Sequence, residues 1–143
     1  MKVVCKINNL SGITDAGTLS RLRRYISRSD GQLDLEVGKE YIVYGIQFWD
    51  NCPWLYLCLE DDEEYPKPYA VDFFTTSNDQ LSQYWKMSHS TNNGAESFSA
   101  LVVEPWSKDH GFYERLIDGD IEATLEFSRY RKLMDAENQE RQG

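Results

Sequence analysis

Five carboxylates in succession, Glu60-Asp61-Asp62-Glu63-Glu64, are the densest run of charged side chains in the 143-residue sequence. Carboxylates are hard oxygen donors, and a cluster of them can hold calcium or magnesium. This run lacks the alternating Asp/Asn spacing and the central glycine of a calcium-binding loop. Consecutive side chains on an extended chain also point to opposite sides, so five in a row cannot converge on one ion. The run therefore suits a solvated loop, or an anionic surface whose basic partner answers with charge-assisted hydrogen bonds, bidentate from arginine. No metal and no cofactor are expected.

Nucleophilic and acid–base chemistry has less to work with. Cys5, Cys52 and Cys58 are odd in number, form no CxxC and stand away from histidine in sequence. They are expected as buried thiols of a reducing compartment. His89 between Ser88 and Ser90, and His110 after Asp109, suit the surface. There is no GxSxG, no HExxH and no phosphate-cradling glycine loop. Asp72 with Asp62 can be drawn as an acid–base pair, but such chemistry depends on a separation in space that sequence does not fix. A carboxylate-based enzyme is a distant alternative, and the chain is not expected to be an enzyme.

Twelve aromatic side chains lie between Tyr41 and Trp85, more than strand alternation can place in one small core. Tyr41, Val43, Leu55, Leu57 and Phe73 are expected inside. Trp49, Trp54, Tyr65 and Tyr69 sit near turns or beside the acidic run, and Tyr and Trp are enriched among interface anchors. The predicted partner-binding residues are therefore Trp49, Trp54, Glu60, Asp61, Asp62, Glu63, Glu64, Tyr65 and Tyr69.

The elements that must position them are mostly strands. Tyr41 to Trp49 and Trp54 to Leu59 are aromatic and β-branched runs on either side of Asp50-Asn51-Cys52-Pro53, the pattern of an antiparallel hairpin. A third run follows from Tyr69 to Phe74. Gly45 suggests a bend, and Pro66 and Pro68 suggest an edge or a departure from the sheet. Lys2 to Ile7, Trp85 to His89 and Ser97 to Val103 are predicted strands, with a helical turn at Leu81 to Trp85 and a tight turn at Asn93-Gly94. Residues 13–34 can be a loop or a short helix with Leu19, Leu22 and Ile26 on one face. From Trp106 onward the pattern is helical. Asp120 is the predicted N-cap of a helix to Glu137, with Phe127, Tyr130 and Met134 as its core stripe. Ile121, Leu125 and Ser128 share the adjoining face.

These elements predict one α+β domain over residues 1–143: a curved antiparallel sheet or SH3-like barrel at 37–104, with a C-terminal helical segment at 106–137. The formal charge is −9. Residues 1–30 carry six Lys/Arg against two Asp, a balance of +4, and the rest carry nine basic against 22 acidic side chains, a balance of −13. A body that acidic repels phosphate backbones and anionic lipid and speeds encounter with basic proteins. Arg21, Arg23, Arg24 and Arg28 are expected as internal ion pairs or a solvated face, because no nucleic-acid recognition motif accompanies them. No apolar run reaches the ~20 residues of a membrane span, and the N-terminus lacks the pattern of a secretory signal. The expected location is the cytoplasm.

Several stretches together resemble a known group. Val37 to Ile46, Trp54 to Leu57, the acidic turn, Tyr65-Pro66, Phe73-Phe74, Leu81 to Trp85 and Phe112 to Asp120 look like those of small bacterial cytoplasmic proteins. Those proteins are similar to immunity proteins of polymorphic toxin systems, including contact-dependent inhibition. The resemblance spans about residues 37–134, and the arginine-rich segment before Gly31 has no counterpart in it. It implies a protein that binds one cognate toxin domain, commonly a basic nuclease, and blocks its active surface without chemistry of its own. A general peptide-binding module on an SH3-like barrel is the alternative that the aromatic residues leave open.

Overall fold

The first aromatic run of the sequence serves two sheets rather than one. In the computed structural model, which describes residues 1–26, 31–91 and 97–140, β1 (Lys2–Cys5), β2 (Glu40–Ile42) and β6 (Phe74–Asn78) form an antiparallel sheet in the order β2-β1-β6. A second antiparallel sheet combines β3 (Gly45–Trp49), β4 (Cys52–Leu57), β5 (Lys67–Ala70), β7 (Trp85–Thr91) and β8 (Ser97–Val103) in the order β5-β4-β3-β8-β7. The expected continuous strand from Tyr41 to Trp49 is thus broken. The Val43 amide donates to the Met1 carbonyl and the Tyr44 amide to the Tyr56 carbonyl, so adjacent residues change partners. Gly45 stands at the change. A Cβ there would lie 3.2 Å from Cγ1 of Val102, so its absence lets β8 close against the bend.

The chain crosses back at a 3-10 turn, Val71–Phe73, between β5 and β6, which divides the expected third run. β5 and β7 are the edges of the larger sheet, so neither sheet closes. The fold is α+β with antiparallel sheets and C-terminal helices, as expected, but it is not an SH3-like barrel. Two sheet changes within 30 residues use up the strands that closure would need. Pro68 lies in edge strand β5, where a missing backbone donor is tolerated.

The uncertain segment contains a helix, α1 (Ala16–Arg23), capped by Asp15, whose carboxylate accepts the Thr18 amide at 2.8 Å. Leu22 anchors it, fully buried. The expected helical turn at Leu81–Trp85 is not formed. The Gln83 amide donates to the buried Glu137 carboxylate and the Tyr84 amide to the Ser82 hydroxyl, which holds that stretch as a turn. The expected turn at Asn93-Gly94 and Arg28 lie outside the described residues.

After β8 come α2 (Glu104–Lys108), α3 (Phe112–Ile117) and α4 (Ile121–Glu140). Gly119, at φ 80°, makes the break, and the Asp120 carboxylate accepts the Ala123 amide as predicted. Phe127 and Met134 are buried and Tyr130 is half-buried, whereas Ile121 and Leu125 stand exposed. α2 and α3 cover the larger sheet through Tyr56, which meets Trp106 at 4.8 Å and Tyr113 at 5.2 Å. α4 is tied to the sheet by Tyr44, which packs on Phe127 and donates to Asp135 at 2.6 Å. Tyr41, Val43, Leu55, Leu57 and Phe73 are all buried, as expected.

Candidate functional site

The β3–β4 hairpin turns on Asp50 and Asn51, at φ 48° and 57°. Two consecutive residues of positive φ match the twist that favours a tight two-residue hairpin. The turn sets Trp49 at the end of β3, and the register sets Trp54 opposite Gln47. The Trp54 indole donates back to the Trp49 carbonyl at 3.1 Å, which fixes its ring over the turn.

The segment after α1 closes over these rings. Tyr25 lies edge-on to Trp54 at 4.9 Å and to Trp49 at 6.5 Å. Its hydroxyl donates to the Asp50 carboxylate at 2.8 Å, and Arg24 pairs with the same oxygen at 3.3 Å. Partial burial, with Asp50 second, raises the Tyr25 hydroxyl pKa above its ordinary value. Arg21 pairs with Asp72 at 2.8 Å and docks α1 on the 3-10 turn. Both Arg21 and Arg24 thus serve internal ion pairs.

A concavity of about 500 Å³ results. Tyr25, Trp49 and Trp54, in contact with one another, line it together with Pro68 and Tyr69 of β5 and the buried Phe73. Gln47 contributes its side chain, and its Oε1 accepts from the Tyr56 hydroxyl at 2.7 Å. The Tyr69 hydroxyl and the Gln47 amide nitrogen make no hydrogen bond among the described residues. Burial raises the Tyr69 pKa strongly, so its hydroxyl keeps its proton.

The acidic run occupies the loop at the other end of the β4–β5 hairpin. Arg131 of α4 holds that loop by donating to the Glu63 carbonyl at 2.7 Å and the Glu60 carbonyl at 3.5 Å. Lys39 donates to the Leu59 carbonyl at 3.4 Å. Basic side chains therefore bind the loop backbone rather than its carboxylates. Glu63 accepts the Leu59 amide at 3.1 Å. Glu60, Asp61, Asp62 and Glu64 are exposed and take part in no ion pair among the described residues. The six residues from Trp54 to Glu60 reach at most about 20 Å, so the concavity and the acidic loop lie on one hairpin but do not form one cluster.

The structure thus gathers Trp49, Trp54 and Tyr69 into one concavity and sets Glu60, Asp61, Asp62 and Glu64 outward on the loop of the same hairpin. Tyr65 goes elsewhere: it is half-buried, edge-on to Tyr113 at 6.4 Å and with Lys67 over its ring. Tyr25, Gln47 and Pro68 were not among the predicted site residues. The opposite charges of Arg24 and Asp50 were the available signal for Tyr25, but sequence separation hid the pairing.

Other chemistry has weaker geometry. Among the described residues no group of three His, Cys, Asp or Glu side chains could hold a metal ion. Asp72 is engaged by Arg21. All three cysteines are free thiols, and burial raises the pKa of each, that of Cys58 to about 12. No helix among the described residues is long and apolar enough to cross a membrane.

The two parts of the site suit different groups. A cation over these rings would gain about 0.5–2 kcal/mol. Among the described residues no carboxylate lines the concavity, so the same cation would give up hydration without gaining a counter-ion. The concavity therefore favours an apolar group and the loop a positive one. Comparison of the chain with protein-family models, curated proteins and solved structures finds no match.

Proposed function

We propose that this protein is a bacterial immunity protein that binds a cognate, basic toxin domain in the cytoplasm and neutralises it by covering its active surface. The observation that carries the reading is the acidic loop. Four exposed carboxylates stand without counter-ions among the described residues, on a loop whose backbone Arg131 holds in place. Such a loop keeps its field for a partner, and long-range attraction between it and a basic surface raises the association rate. The aromatic concavity on the same hairpin offers an apolar anchor of the kind that dominates interface energies. Inhibition then needs only a one-to-one complex that occludes the toxin's cleft. Titrating a basic toxin domain with the chain tests this: its activity should fall to zero at equimolar ratio, and undiminished activity in a saturated complex would refute it.

A general peptide-binding module is the second reading, favoured by the open concavity. It predicts comparable micromolar binding to many short peptides, where the first predicts one tight, salt-sensitive partner.

A further inference from the structure

We propose that β7 is a self-association edge: two copies of this chain pair their β7 strands antiparallel, about a two-fold axis at Ser88, into one ten-stranded sheet.

The two edges of the larger sheet differ. β5 has four residues and carries Lys67 and Pro68, features that stop a strand from pairing outward. β7 pairs with β8 along seven residues without a register shift and contains neither proline nor bulge. Beyond that ladder its backbone makes one hydrogen bond among the described residues, from the Trp85 amide to the Ser82 carbonyl. An edge left in this state is a template for another strand.

Charge selects the second copy as that strand's source. Lys86 is the only formal charge of β7 and β8, in a chain of −9. A basic domain gains nothing from such an edge, whereas two acidic chains meet little repulsion there. The acidic loop joins β4 to β5, on the far side of the sheet. At about 4.8 Å per strand, pairing through β7 leaves the two β4 strands about 34 Å apart. That exceeds the Debye length of about 8 Å at physiological salt, so the two loops barely sense each other.

The side chains also match. Antiparallel pairing keeps each face continuous, so an edge residue meets one from the same face. A two-fold axis at Ser88, the middle of the strand, uses all seven residues. It sets Met87 opposite His89 of the second copy and Lys86 opposite Ser90, with no like charges facing. Met87 is 68% exposed in the single chain, and the exposed Phe48 and half-buried Leu101 share its face. Pairing covers Met87.

Sedimentation equilibrium of the full chain from about 1 μM to 1 mM tests the proposal, with amide exchange measured at both ends of that range. The mass should rise from one chain to two, and alternate β7 amides should exchange more slowly at the high concentration. Salt should strengthen this association by screening two acidic bodies, the reverse of its effect on binding a basic domain. Met87→Lys should leave the melting temperature unchanged and weaken self-association about tenfold or more. An equimolar mixture of Met87→Lys and Met87→Glu should associate more tightly than Met87→Lys alone. A chain that stays single at the highest concentration would overturn the proposal. So would a dimer whose β7 amides exchange as fast as in the single chain, or a Met87→Lys variant that associates as tightly as the wild type.

Discussion

Tyr25 stands edge-on to Trp54, with ring centroids 4.9 Å apart and planes at 69°, and its hydroxyl holds Asp50 of the hairpin turn at 2.8 Å. A residue from the arginine-rich segment thereby lines the concavity. Tyr25→Ala should open it, costing about 1 kcal/mol of stability and shifting tryptophan emission to the red. Tyr25→Phe retains the ring and should shift emission far less. Identical spectra for wild type and Tyr25→Ala would mean that the ring does not shield the indoles.

Arg131 reaches from α4 to two carbonyls of the acidic loop and lies 5.4 Å from the Tyr44 ring centre. Arg131→Met keeps an apolar stem but removes the donors. Stability should fall by about 2 kcal/mol, and amide exchange should quicken across residues 58–66. Unchanged exchange there would show that the loop holds its shape without Arg131.

The hairpin turn gives a backbone test. Asn51 sits at φ 57°, where a Cβ is strained and asparagine is tolerated better than most residues. Asn51→Ala should cost about 1 kcal/mol in chemical denaturation, and Asn51→Gly should match or exceed the wild type. The opposite order would remove the turn as the element that positions Trp49.

Acid should loosen the entry to α3. The Gly111 amide and Arg115 hold the Asp109 carboxyl below its ordinary pKa. A folded value below the unfolded one means that the contribution is full above the unfolded value of about 3.9. It is lost as pH falls through the folded value. The stability gap between wild type and Asp109→Asn should therefore be constant at neutral pH and shrink below about pH 4. A gap that persists at lower pH would mean that the contact does not depend on charge.

Parts of this architecture are legible in the sequence because local chemistry determines them. Asp120 caps α4 and Phe127 and Met134 face inward, each from a short-range signal. The hairpin turn falls inside the expected Asp50–Pro53 but uses only Asp50 and Asn51, because Cys52 and Pro53 pair with Trp49 and Phe48. The rest depends on distant residues. Nothing near Val43 and Tyr44 shows that their amides go to Met1 and Tyr56, so one apolar run is divided between two sheets. Likewise the Leu81–Trp85 stretch has helical spacing, but the Gln83 amide is taken by Glu137. The site divides the same way. Trp49, Trp54 and the carboxylates stand out by type, whereas Tyr25 joins them only because Arg24 and Tyr25 both find Asp50.

The central claim is most directly tested by the association rate with a basic toxin domain, measured by stopped-flow fluorescence at low and high salt. The comparison is between wild type and a variant with Asp61, Asp62 and Glu64 changed to Lys, which leaves the Glu63–Leu59 contact in place. Steering by the loop predicts that the wild-type rate falls steeply with salt, and that the variant associates at least about tenfold more slowly at low salt with its fold intact. Equal rates for the two proteins at low salt would contradict the account.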